Sequence, residues 1–213
     1  MPPATPDMTL DDADEFIRQA RELGWTPRIV LVGGEPTLHP QFYDFMERAL
    51  AFSDAVSLIS NGFSSAARKA AEEAARRGVE VWWDSFKPSG SVVHSVRDIF
   101  VAPVDVGMEG RSPCAWHAGV GQCGISVDAC GYSVCAIGGT IDGVLGLGVR
   151  TKRLADLWIP EKAAEQTRAL CRMCGKGLGL DRVHPDRCKK RFGISLSSTW
   201  QEAFERLRPS AKP

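Results

Sequence analysis

Two sets of residues in this 213-residue chain have the types and spacing to do chemistry. The first is Gly33-Gly34-Glu35-Pro36, which follows the apolar run Ile29-Val30-Leu31-Val32 and continues as Thr37-Leu38-His39-Pro40. Glycines directly after a buried strand let a ligand approach the main chain, and freed amides beside one carboxylate can hold an amino-acid-like group. The second set is seven cysteines, all between Cys114 and Cys188. An odd number of thiols without a secretory leader speaks against a disulfide framework and for metal ligation. Cys171-Arg172-Met173-Cys174 has the C-x2-C spacing by which two thiolates chelate one ion, and Cys123 and Cys135 supply a second pair. Soft thiolates suit tetrahedral zinc and iron–sulfur clusters alike, so spacing leaves the metal open. Cys114, Cys130 and Cys188 can substitute in that set, ligate a second metal, or stand aside as inert thiols.

Other polar residues are weaker taken singly. Asn61 in Ser60-Asn61-Gly62 reads as a turn and Asp84 in Asp84-Ser85 as a cap, unless both occupy successive strand ends of one sheet. His39 belongs to the Gly-Gly-Glu-Pro string, and only His117 and His184 lie among the cysteines as further ligand candidates. The glycine strings Gly143 to Gly148 and Gly175 to Gly179 lack the pattern of a phosphate-binding loop and read as loop packing. Trp82, Trp83, Phe86 and Trp116 suit either a core or a pocket wall.

The elements that must position these residues follow from periodicity. Leu10, Phe16, Ile17, Ala20 and Leu23 recur at helical spacing behind Thr9, predicting a helix over Thr9 to Gly24. Strands are expected at Pro27 to Val32, Ala55 to Ser60 and Val79 to Trp83, with helices between them at Gln41 to Phe52 and Ser64 to Arg77. Strands alternating with helices imply a parallel α/β sheet with ligands at the strands' C-terminal ends, where the Gly33–Glu35 string, Asn61 and Asp84 fall. Beyond Phe86 the pattern weakens, with a strand expected at Asp98 to Ala102 and a linker at Gly107 to Ser112. A Gly/Cys-rich, thin-cored region follows from Cys114 to Gly148, with strands at Ile125 to Val127 and Tyr132 to Ile137 and metal as the expected staple, and beyond it helices are expected at Pro160 to Leu170 and Ser197 to Leu207.

Composition adds exclusions. Lys+Arg and Asp+Glu are both 26, so bulk charge favours neither nucleic acid nor an anionic membrane as partner. The apolar runs are too short to span a bilayer and Met1-Pro2-Pro3 lacks a signal peptide's basic start, which gives a cytoplasmic reading.

The string Gly33-Gly34-Glu35-Pro36-Thr37-Leu38-His39-Pro40 resembles the cofactor motif of radical S-adenosylmethionine enzymes. Ser57 to Gly62 and Val81 to Ser85 are similar to that family's next two strand endings. The resemblance implies a partial (βα) barrel over residues 1–112, with Gly33, Gly34, Glu35 and Pro36 at the methionine end of S-adenosylmethionine and Asn61 and Asp84 facing the cofactor or substrate. Cys123-x11-Cys135 followed by Cys171-x2-Cys174 resembles the family's twitch or SPASM-like auxiliary domain, although Gly131 precedes Cys135 by one residue fewer than usual. It implies an auxiliary four-iron four-sulfur cluster in residues 113–190, with zinc the alternative, before a C-terminal helix in 191–213. The substrate class implied by analogy is a peptide, a protein or a small molecule.

One motif of the family is missing from these residues. Radical formation uses a cluster held by C-x3-C-x2-C upstream of the Gly-Gly-Glu-Pro strand, and no run of the seven cysteines has that spacing. The expectation is an incomplete enzyme, inactive alone, whose parent performs radical chemistry; the alternatives are a non-catalytic zinc- or cluster-binding module and a structural zinc protein. No residue is assigned a catalytic role.

Overall fold

The computed structural model describes residues 6–83, 124–174 and 198–207. The chain divides into two compact units, one of Thr9–Ser95 and one of Met1–Met8 with Val96–Pro213. The expected strand at Asp98 to Ala102, the linker at Gly107 to Ser112, and the residues Asp84, Phe86, Trp116, Cys114, Cys123, Cys188, His117 and His184 lie outside the described residues.

In the first unit, helix α1 (Leu10–Glu22) starts where Thr9 and Asp12 cap each other: the Asp12 amide donates to Thr9 Oγ1 at 3.2 Å, and the Thr9 amide donates to Asp12 Oδ2 at 2.8 Å. Strand β1 (Ile29–Leu31), helix α2 (Phe42–Phe52), strand β2 (Val56–Ser60), helix α3 (Ser65–Arg76) and strand β3 (Glu80–Trp83) follow. The strands form one parallel sheet in the order β1-β2-β3, with Leu31 opposite Leu58 and Ser60 opposite Trp83. This is the mixed α/β architecture expected from the alternation.

Alternation along the strands sorts the two faces. Ile29, Leu31, Val56, Leu58 and Val81 join Phe42, Met46 and Ala49 of α2 and Ala71 and Ala74 of α3 in one apolar cluster. The alanines of α3 let its backbone come close to the sheet, so a weakly hydrophobic helix still covers a core. The other face carries Val30, which is 38% exposed, and Trp82, which is 44% exposed. Trp82 is thus not a core residue: the Arg28 guanidinium sits over its ring at 5.9 Å from the centroid, and Arg28 Nη1 donates to Glu80 Oε2 at 3.0 Å. The Trp82 indole N–H, then Ser57 and Arg28, hold the Glu80 carboxyl below its ordinary value.

In the second unit, strands β4 (Ser126–Asp128) and β5 (Gly131–Ser133) pair as an antiparallel hairpin, followed by helices α4 (Gly138–Leu145), α5 (Pro160–Cys171) and α6 (Ser198–Leu207), with a 3-10 turn at Leu154–Trp158. Two expectations are corrected here. The strand expected to run from Tyr132 to Ile137 ends at Ser133, because the chain turns at Cys135, where Gly138 N donates to the Cys135 carbonyl at 2.9 Å. Ile141, Val144 and Leu145 of α4 are buried in an apolar cluster with Leu170 of α5 and Ala203 of α6, and Val134, Ile137, Met173 and Cys174 pack against it, so α4 shares a core with helices beyond the segment expected to be thin-cored. Gly143 therefore belongs to a helix rather than to a loop, and the loop reading of Gly143 to Gly148 holds only from Gly146, which ends α4 in the left-handed conformation. Poor intrinsic helix formers such as Gly138, Gly139 and Gly143 concealed α4, which tertiary burial stabilises.

Candidate functional site

Two sites can be built from the described residues, one in each unit. In the first, parallel pairing of β1 and β2 brings their C-terminal ends side by side, and Glu35 ties them together. Glu35 Oε1 accepts from Thr37 Oγ1 at 2.6 Å, from the Thr37 amide at 3.3 Å and from Ser60 Oγ at 3.0 Å. Its Oε2 accepts from the Asn61 amide at 2.8 Å. The carboxylate is therefore occupied by the protein's own donors. Asn61 Nδ2 donates to the Gly34 carbonyl at 3.4 Å, and Asn61 Oδ1 accepts from the Phe63 amide at 2.8 Å. Pro36 opens the 3-10 turn Pro36–Leu38 that Glu35 caps, and His39 Nδ1 accepts from the Gln41 amide at 3.1 Å, just before α2.

What this clamp leaves presented is main chain. Gly33 and Gly34 are exposed, and among the described residues a Cβ built on either meets no atom within 4 Å. Of the residues singled out from sequence, Gly34, Glu35 and Asn61 are bonded together, Gly33 and Pro36 flank them, and Asp84 lies outside the described residues. Ser60 was missed. It is fully buried, and its Oγ also accepts from the Gly62 amide at 3.2 Å. Its signal was a small hydroxyl at the last position of an otherwise apolar strand face.

The second site concerns the cysteines. Cys130 occupies the closed end of the hairpin, its amide donating to Asp128 Oδ1 at 2.8 Å. Cys135 leaves the open end, so the two lie apart by the length of strand β5, on the order of 10 Å for three residues. The register pairs Ser126 with Ser133 and Asp128 with Gly131. Gly131 is demanded by a close approach: its φ is +125°, and a Cβ there would stand 2.3 Å from the Thr151 carbonyl oxygen.

Helix α5 ends at Cys171, and the turn beyond it is closed by the Cys174 amide donating to the Cys171 carbonyl at 3.2 Å. This end of α5 and the turn after Cys135 meet the same surroundings. A Cβ on Gly138 would be 2.7 Å from Leu170 Cδ1 and 2.2 Å from Ser133 Oγ, so only glycine lets the segment after Cys135 press against α5. Cys174 packs on the apolar cluster that also receives Val134 and Ile137, the residues around Cys135.

The hairpin is fixed from its other side by a buried ion network. Arg150 Nε donates to Asp142 Oδ2 at 2.6 Å and its Nη1 donates to Asp128 Oδ2 at 2.6 Å, with the Arg150 and Asp142 side chains 7% and 5% exposed. Burial works against the Arg150 charge, but the Asp142 hydrogen bond and the Asp128 charge outweigh it and raise its pKa. Asp128, Asp142 and Arg150 carry no local spacing signal in the sequence.

The cysteine thiols are soft donors suited to zinc or iron, and Cys135, Cys171 and Cys174 are all partly buried. Among the described residues no group of three or more histidine, cysteine, aspartate or glutamate side chains stands close enough to hold a metal ion. Cys123, the fourth member of the expected set, lies outside the described residues. Among the described residues no helix is long and apolar enough to cross a membrane. Comparison with protein-family models, with curated proteins and with solved structures finds no match.

Proposed function

We propose that this chain is a radical S-adenosylmethionine-type protein in which β1, β2 and β3 with their helices form part of the (βα) barrel assigned to residues 1–112 and bind the amino-acid end of S-adenosylmethionine. The observation that carries the reading is the Glu35 clamp. Two adjacent parallel strand ends are locked by one carboxylate, and the lock leaves the Gly33-Gly34 main chain exposed, with open space above it among the described residues. In this assignment Gly33 and Gly34 meet the ligand through backbone groups, Glu35 and Ser60 hold the loop, and Asn61 stands at its edge. Pro36 shapes the turn, and Asp84 is assigned to the next strand end by its sequence position.

The cysteine region is assigned a metal. Cys135, Cys171 and Cys174, with Cys123 from the residue before Gly124, are the proposed thiolate ligands of an auxiliary four-iron four-sulfur cluster or a zinc ion. Cys130 is not included, since the hairpin carries it to the opposite end from Cys135. When bound, the cluster supplies electron transfer or substrate anchoring, and zinc supplies structure alone. The chain's residues contribute thiolates, an apolar wall from Ile137 and Met173, and a fixed hairpin. Because the 213 residues contain no C-x3-C-x2-C triplet, binding is assigned to this chain and radical generation is not. Modification of a peptide or small substrate is proposed for a system that supplies that cluster. A non-catalytic cluster- or zinc-binding module is the second reading, favoured by the same missing triplet.

Gly34→Val tests the cofactor reading. Among the described residues nothing stands within 4 Å of a Cβ on Gly34, so they accept the side chain, while a ligand on that main chain would collide with it. Isothermal titration should show the wild-type chain binding S-adenosylmethionine and the folded Gly34→Val variant failing to bind. Equal binding by both, or none by the wild type, refutes the assignment.

A further inference from the structure

Helix α5 ends in a turn whose two outer residues are both cysteines. Arg172 has φ −65° and ψ −21°, the first central position of a type I turn, and the Cys174 amide closes the turn on the Cys171 carbonyl at 3.2 Å. The Met173 amide donates to the Leu170 carbonyl at 3.1 Å, so the turn continues the winding of α5. A turn of this kind holds its outer Cα atoms less than about 7 Å apart, and a disulfide spans roughly 4.4–6.8 Å between Cα atoms. Residues three apart on such a winding also carry their Cβ atoms on one side, about 5–6 Å from each other. A bond between the sulfurs needs only these two thiols.

We propose that Cys171 and Cys174 are a redox-active dithiol, the site of a reversible disulfide. The step is exchange with a low-molecular-weight disulfide such as oxidised glutathione. One cysteine thiolate attacks a sulfur of that disulfide, forming a mixed disulfide and releasing one small thiol, and the second thiolate then displaces the other. The protein gives up two electrons and two protons, and the external disulfide takes them up as two thiols. Reversibility follows from the turn. The Cβ atoms of a disulfide stand about 3.8 Å apart, closer than helical winding sets them, so closure tightens the turn and leaves a strained bond that is more readily reduced than a relaxed one. Both cysteines are only partly buried, which lets a small disulfide reach them. Cys174 packs against the apolar cluster of Ile141, Val144, Leu145, Leu170 and Ala203, so the tightened turn is felt where α4, α5 and α6 meet. This chemistry needs neither Cys135 nor a metal and stands apart from the assignment above.

The experiment takes the full chain, treats it with chelator, and equilibrates it anaerobically in glutathione mixtures of increasing oxidation. Remaining thiols are blocked with N-ethylmaleimide and the chain is digested with trypsin. Arg172 lies between the two cysteines, so cleavage after it separates residues 169–172 from residues 173–176, and only a Cys171–Cys174 bond keeps those two peptides together in the mass spectrum. The linked pair should appear as the mixture grows more oxidising and vanish in excess dithiothreitol. In Cys174→Ser or Cys171→Ser the remaining cysteine should retain glutathione, the mixed disulfide that its partner otherwise resolves. A wild type in which both cysteines stay blocked by the maleimide throughout, or are linked only to other cysteines, overturns the proposal. A linked pair that survives excess dithiothreitol makes the bond structural and overturns its reversibility. Elemental analysis of the chain before chelation reports on the metal assignment separately, so either can fail alone.

Discussion

In the N-terminal unit Glu35 meets Ser60 and Asn61 because β1 and β2 run parallel and in register, so their ends arrive together. In the C-terminal unit Gln166 from α5 bonds the residue before Cys135, and Arg150 from beyond α4 ties Asp142 of α4 to Asp128 of the hairpin. The first arrangement spreads its burden over a repeated backbone pattern and several hydrogen bonds to one carboxylate. The second concentrates it. The described hairpin has strands of three residues each, and a buried guanidinium between two carboxylates adds to what its short ladder supplies. The two units should therefore respond differently to single substitutions.

The largest effect concerns chemistry in the cysteine region. Cys174→Ser should abolish stoichiometric binding of iron or zinc, measured by elemental analysis after anaerobic reconstitution, while Cys130→Ser at the far end of the hairpin leaves it intact. Retention of metal by Cys174→Ser would break the proposed pairing of hairpin and helix. With S-adenosylmethionine and dithionite, the wild-type chain should form no deoxyadenosine; turnover detected by chromatography would show radical chemistry without the missing triplet.

Arg150→Met comes next. It strands the buried Asp142 carboxylate and releases Asp128, and loss of one partner from such a buried network costs about 3–5 kcal/mol. Urea unfolding followed by circular dichroism should show this loss, and a change below about 1 kcal/mol would mean that the hairpin is held by packing alone.

Glu35→Ala is expected to cost less, about 1.5–3 kcal/mol, because its hydrogen bonds are charge-assisted but partly exposed. The smallest effect is Ser60→Ala, at about 1 kcal/mol, since Glu35 keeps its bonds to Thr37 and Asn61 when Ser60 is removed. If Ser60→Ala proved as damaging as Arg150→Met, the contrast between a distributed and a concentrated site would fail.

The same contrast explains which features could be read from the residues. Thr9 and Asp12 announce the start of α1 within four residues, and Ser64 does the same for α3, its Oγ accepting from the Ala67 amide at 3.0 Å. The strands β1, β2 and β3 were legible because apolar alternation is local, and Gly33–Glu35 and Asn61 could be placed at neighbouring ends because parallel topology follows from helix–strand order. Helix α4 was not legible. Gly138, Gly139 and Gly143 lower its propensity, and the burial of Ile141 and Val144 that stabilises it depends on α5 and α6.

Local composition and period therefore determined the α/β class, the strand ends that carry Gly33, Gly34, Glu35 and Asn61, and the presence of a thiol set with metal-ligand spacing. Only the tertiary structure decided that Glu35 is spent on Ser60 and Asn61, that Cys130 and Cys135 part company along a hairpin, and that Gln166 bonds the residue before Cys135 while Arg150 ties Asp142 to Asp128. The reason is range. Propensity and alternation act between residues a few positions apart, whereas Gln166 finds Val134 across 32 positions and Arg150 finds Asp128 across 22, contacts that exist only once the chain has folded back on itself.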